Sequence, residues 1–218
     1  MRRCGFFCRN IVTCGLLILI LSGCISAGSS LDPRFYMLKQ LKQDEVAQKF
    51  DIPSGVITVI GPVGIPQYLD CPQMITQNGQ GMINIAQFDR WGESLDAGIA
   101  RLIIEDLNLM LPGGTFEMFP CNFAIPLNYQ VIVGILQLEG NLKKDFLLVA
   151  QWSIIDANTR KMLFTKRSDL IEPINPGNYS GLADALSKAV AALSTEIAQN
   201  LSILANQSKE VNKTGNPV

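Results

Sequence analysis

The chain has 218 residues, of which 48% are hydrophobic and 17% charged, with a formal net charge of −1. It contains no histidine, which excludes Ser-His and Cys-His nucleophilic pairs and every histidine-based zinc site. Nothing in the balance of 18 bases against 19 acids marks a nucleic-acid binder, which needs a basic face.

The chain opens with Arg2, Arg3 and Arg9, followed by an apolar run from Ile11 to Leu21 and the stretch Leu21-Ser22-Gly23-Cys24. A basic start, a short apolar segment and small residues before a cleavage point describe a bacterial export signal. The apolar run is about half of the ~20 residues that a spanning helix needs. A cysteine directly after the small pair makes it a lipoprotein signal. Residues 1–23 are therefore expected to be removed, and Cys24 to carry acyl chains of the palmitate class on its thiol and its new amino group. Ile25 stands where an aspartate would resemble an inner-membrane retention signal, so the expected location is the outer membrane, on its periplasmic face. Loss of the three leader arginines leaves 15 bases against 19 acids, a net charge near −4.

Residues 24–33 are mostly small and polar (Ser26, Ala27, Gly28, Ser29, Ser30) and read as a flexible tether. One domain is expected over residues 34–206. Phe35, Tyr36 and Leu38 begin it as a strand. Val56 to Ile60 is a β-branched run bounded by Ser54-Gly55 and Gly61-Pro62, which predicts a strand. Gly61 to Pro66 continues in extended form, because proline and its predecessor both favour that region. Met74–Thr76 and Met82–Ile85 flank Asn78-Gly79, a hairpin pair. A helix is expected from Asp89, capped by that residue, with Glu93 near the positive end of its dipole. Leu95, Ile99, Leu102, Ile103 and Met110 form its apolar face, and Pro112-Gly113-Gly114 stops it.

Three strand-like runs follow: Tyr129–Leu138, Phe146–Ile155 and Lys161–Leu170. The middle one is apolar on both faces and is expected to lie inside its sheet. A second helix is predicted from Asn178 to about Asn206, with a stripe running from Leu182 through Leu204. Residues 207–218 lack apolar periodicity and read as a mobile tail. The expected architecture is α+β: a mostly antiparallel sheet with two long helices packed on one face.

Two runs carry a recognisable pattern: Ile60-Gly61-Pro62-Val63-Gly64-Ile65-Pro66-Gln67-Tyr68-Leu69-Asp70-Cys71-Pro72-Gln73 and Phe88-Asp89-Arg90-Trp91-Gly92-Glu93-Ser94-Leu95. Ala150-Gln151-Trp152 and Ala185-Leu186-Ser187 add to it, and so does the lipoprotein signal. Together they resemble the ABC-type transport auxiliary lipoproteins, the PqiC/YmbA-like family, over Tyr36 to about Leu201. Cys71 departs from the pattern, since the family usually has arginine there.

The resemblance implies a role and no reaction. Such proteins are auxiliary subunits of envelope systems that move lipids between the two membranes. They dock a periplasm-spanning MCE-domain protein, which is served by ABC and permease components at the inner membrane. A ring-shaped homo-oligomer is the expected geometry, since a tunnel must meet a matching axis. Tyr68, Leu69, Asp70, Arg90 and Trp91 are the candidate partner-binding residues.

Each feature also has a plainer account. Gly61–Gly64 lacks the lysine and serine of a phosphate loop and reads as a bend. Asp89 and Glu93 are accounted for by capping and dipole, and the tryptophans by core packing. Cys71 and Cys121 are the two cysteines left in a compartment that permits a disulfide, and their pairing stays open. Neither a catalytic residue, a metal site nor a cofactor is expected. The alternative function is a periplasmic carrier holding a lipid or small molecule between helices and sheet. An envelope hydrolase ranks last, for want of a histidine or a nucleophile motif.

Overall fold

A computed structural model describes residues 32–77, 81–121 and 126–214, and the side chains up to residue 210. The chain passes through β1 (Arg34–Tyr36), β2 (Ile57–Gly64), a 3-10 turn (Gln67–Leu69), β3 (Gln73–Gln77) and β4 (Ile83–Trp91). Then come α1 (Leu95–Met110), β5 (Thr115–Met118), β6 (Tyr129–Gly140), β7 (Asp145–Asp156), β8 (Met162–Pro173) and α2 (Tyr179–Thr214). The residues from Pro33 onward cluster as one unit.

The strands form two mixed sheets, which corrects the expectation of one mostly antiparallel sheet. One has the order β1-β4-β3 and the other β5-β2-β6-β7-β8. β1 runs parallel to β4, and β2 runs parallel to both β5 and β6. The antiparallel pairs are β3–β4, β6–β7 and β7–β8. The antiparallel neighbours are adjacent in sequence and need only a short turn. The parallel ones need long crossovers, and Ile60 meets Val131 only after the β3–β4 ribbon, α1 and β5 have intervened.

β7 lies between β6 and β8, as its two apolar faces require. Phe146, Leu148, Ala150, Trp152 and Ile154 are fully buried on one face, beside Val131, Val133, Ile135 and Leu138 of β6. Ile99, Leu102, Ile103 and Leu107 of α1 join this core, as do Leu182, Leu186, Ala189, Leu193, Ile197 and Leu201 of α2. Each of the buried valine, leucine, isoleucine and phenylalanine side chains contributes roughly 1.5–3 kcal/mol by leaving water. The Trp152 indole N–H donates to the buried Ser168 hydroxyl at 3.0 Å, so this residue packs the core without an orphaned donor.

The start of α1 differs from expectation. Asp89 does not cap it: the residue lies inside β4, and α1 begins six residues later, with Ser94 in the N-cap position. The segment Asp89-Arg90-Trp91 aligns in parallel with Arg34-Phe35-Tyr36, and burial of Asp89 and Trp91 draws it into the sheet. α2 starts as read, with the Asn178 side-chain oxygen accepting the Gly181 N–H at 3.0 Å. It continues to Thr214, past the boundary expected at 206. The Asn78-Gly79 turn falls outside the described residues, while the strands either side of it pair antiparallel as expected.

β2 carries the extended glycine-proline segment. Gly61 has φ +113°, and an added Cβ would meet that of Phe119 at 3.2 Å. Gly61→Ala is therefore expected to lower stability by about 1–2 kcal/mol, the cost of forcing an L-residue to positive φ. Chemical denaturation should show a lower midpoint with an unchanged slope.

Candidate functional site

The two motif segments meet at a surface cleft of about 330 Å³, lined by Leu69, Asp70, Cys71 and Pro72 on one side and by Trp91 to Leu95 on the other. The first wall is shaped by the 3-10 turn. The Leu69 N–H donates to the Pro66 carbonyl at 2.9 Å, that of Asp70 to Gln67 at 3.1 Å, and that of Cys71 to Leu69 at 2.8 Å. These bonds turn the chain before β3. The second wall is the end of β4 and the first residue of α1. A 2.7 Å bond from the Trp91 N–H to the Pro72 carbonyl ties the walls together.

The floor is apolar, because Leu69, Trp91 and Leu95 are each buried. The rim is polar, with Asp70 and Ser94 exposed. Glu93 is held by Arg101, whose Nε and Nη2 donate to Glu93 Oε1 at 3.1 and 2.6 Å. The same guanidinium bonds Glu105 and the Leu38 carbonyl. The hydrogen bond to Glu93 is the main reason the Arg101 pKa is raised. Gly98 makes room beneath Glu93, since a Cβ there would lie 3.1 Å from Oε1.

Beside the cleft, Asp89 is buried and accepts from Arg34 Nη2 at 2.9 Å and from the Tyr36 hydroxyl at 2.8 Å. This cluster fixes β1 to β4. The Tyr36 pKa is raised, first by burial and then by Asp89, which favours the protonated donor.

The structure gathers three of the five candidate partner-binding residues, Leu69, Asp70 and Trp91, into the cleft. Tyr68 and Arg90 do not line it. Burial is the main cause of the raised Tyr68 pKa, and the Leu138 backbone of β6 and the Gln77 side chain of β3 oppose it. Tyr68→Phe is expected to cost about 0.5–1.5 kcal/mol, the worth of one hydrogen bond. A thermal melt should register this while cleft-dependent binding is unchanged. Arg90 sits in register with Phe35 and Gln73, and its Nε is buried without a hydrogen-bond partner.

Cys71 lines the cleft, its Sγ 3.8 Å from the Tyr68 carbonyl oxygen and 3.7 Å from that of Gln73. Cys121 lines a different hollow, with Phe119, Pro120 and Arg160. Both are free thiols. Gly92, Ser94 and Arg101 were missed by the sequence reading. Gly92 and Ser94 lie inside the second motif, and the Arg101–Glu105 spacing of four on a helix was the one available signal for that pair.

Among the described residues no group of three or more Cys, Asp or Glu side chains converges to hold a metal. What the cleft can do is seat an apolar side chain on its floor while its carboxylate rim meets a base.

The fold matches that of an uncharacterised protein of known structure at 15% identity and a TM-score of 0.64, covering 78% of this chain and 99% of the other. A Xanthomonas campestris protein assigned to the DUF330 family model also has a TM-score of 0.64, at 8% identity, covering 81% of this chain and 99% of its own. No curated protein matches in sequence. The model of the ABC-type transport auxiliary lipoprotein component matches residues 36–198, which include both walls of the cleft. The chain belongs to that family: it is a lipoprotein and an auxiliary component of an ABC-type transport system.

Proposed function

We propose that this chain is the docking piece of an intermembrane lipid transport system. Acyl chains on Cys24 anchor it to the periplasmic face of the outer membrane. There it receives a periplasm-spanning MCE-domain protein served by ABC and permease components. The observation that carries the reading is the cleft: two motifs about twenty residues apart converge on one opening with an apolar floor, which suits an inserted side chain of a partner. Loop-borne residues on a rigid scaffold are where binding concentrates. Copies arranged as a ring would present several such clefts around one axis. The carrier alternative is disfavoured by the packing, because the space between helices and sheet is filled by Trp152, Phe146, Leu148, Ile103 and Leu186.

The test is co-purification of the lipidated protein with the MCE protein of its host. Ser94→Tyr, which plugs the cleft from an exposed position, and Asp70→Arg, which reverses its rim charge, should each reduce recovery of the partner at least tenfold. Membrane level and melting temperature should stay unchanged. Full recovery with both substitutions, or no recovery with the intact protein, rejects this docking role.

A further inference from the structure

Phe35 and Met37 are 62% and 48% exposed, in a segment whose neighbours Tyr36 and Leu38 are turned into the domain. Phe35 is in register with Arg90 of β4. Met37 lies across Gly92, its Sδ 2.7 Å from where a Cβ would be, so the pair continues onto the lip of the cleft. Exposed apolar residues scattered singly need no explanation. These two stand together at the end of β1, the first strand of the described residues.

Chain length says what lies opposite them. Ten residues separate Cys24 from Phe35, and even a fully extended chain of that length reaches only about 35 Å. Phe35 therefore stays within that distance of the surface that holds the acyl chains. The basic groups of the same segment, Arg34, Lys39 and Lys42, are each exposed and each bridged to a carboxylate: Asp89, Asp184 and Glu45. The segment thus offers a bilayer an apolar contact with its basic groups already paired. A tethered contact does not have to be strong, because the anchor raises the local concentration of the bilayer surface.

We propose that Phe35 and Met37 insert into the headgroup boundary of the phospholipid bilayer and set the domain's orientation, with the cleft opening beside the membrane. The aromatic and thioether side chains suit that boundary. This rests on the lipid-anchor reading above, and the test separates the two. The full-length lipidated protein carrying Phe35→Trp is reconstituted into phosphatidylcholine vesicles, with and without brominated acyl chains. Flotation reports the anchor, and indole emission reports the contact. The native indoles of Trp91 and Trp152 are buried and present in both proteins, so the wild type supplies the background.

The expected result is flotation with loss of the added emission in brominated vesicles, equally in vesicles with and without phosphatidylglycerol. In hydrogen exchange, Phe35→Ser with Met37→Ser should remove the membrane protection of residues 34–38 while flotation persists. Flotation with no quenching overturns the orientation and leaves the anchor standing. A blue-shifted but unquenched indole means that protein covers this face, and also overturns it. Failure to float removes the anchor and the proposal together.

Discussion

Cys24→Ala should abolish acylation and release the protein from the membrane while leaving its domain folded. The expected energetic effect is large. Each buried acyl methylene is worth about 0.8 kcal/mol, one chain gives marginal binding, and two or more hold a protein nearly permanently. No other feature of the described residues offers a comparable hold, since none of their helices is long and apolar enough to cross a membrane. Folding should survive because the buried core begins at Leu38, fourteen residues beyond the anchor. Palmitate labelling in the native host, density-gradient fractionation and a thermal melt of the released protein check the three parts separately. Persistent labelling, or unchanged membrane fractionation, rejects the assignment of Cys24.

What the sequence disclosed follows the range of the interactions involved. The apolar stripe of α1 and that of α2 repeat every three or four residues, and the three long strands are joined by short turns, so these elements were legible locally. Strand direction in β2 was not. Ile60 has its partners at Met118 and Val131, and no alternation in Val56 to Gly64 tells parallel from antiparallel pairing. Asp89 was misassigned because the property that makes aspartate a good cap, acceptance of several hydrogen bonds, also suits it to hold Arg34 and Tyr36 from inside a strand. The cleft was half legible. Its two walls are contiguous motifs, but the bond from Trp91 to Pro72 that joins them is tertiary, and so is the contact that takes Tyr68 away to β6.

A buried carboxylate on α1 went unread for the same reason, and it gives the second prediction. Asp106 is fully buried between α1, α2 and the segment after β1. Its Oδ1 accepts the Leu41 N–H at 3.0 Å, and Oδ2 is buried without a partner. The Ser194 hydroxyl also bears on it, though it donates to the Val190 carbonyl at 2.9 Å. Burial, the largest cause, pushes the pKa up to about 6 from 3.8, the Leu41 hydrogen bond and the neighbouring Ser194 hydroxyl oppose that rise, and the Glu105 charge adds to it.

Between pH ~4 and ~6 the native state therefore holds a proton that the unfolded chain has lost, and stability falls as pH rises. Above the folded pKa the penalty is fully developed and constant. Every tenfold weakening of an acid on folding costs about 1.4 kcal/mol, so a rise from 3.8 to about 6 implies a penalty on the order of 3 kcal/mol at pH 7.5. Asp106→Asn keeps a carbonyl for Leu41 and gains an amide that can donate to the Ser194 oxygen. It should raise the melting temperature at pH 7.5 by roughly 6–12 °C, given the usual 2–4 °C per kcal/mol for a domain of this size. It should also flatten the decline in stability between pH 4 and 6. Melting curves of the two proteins across pH 4–8 provide the measurement. Parallel profiles would mean that Asp106 is not the group titrating there, and a less stable variant at pH 7.5 would mean that the ionised carboxylate is better satisfied than its unpartnered oxygen indicates.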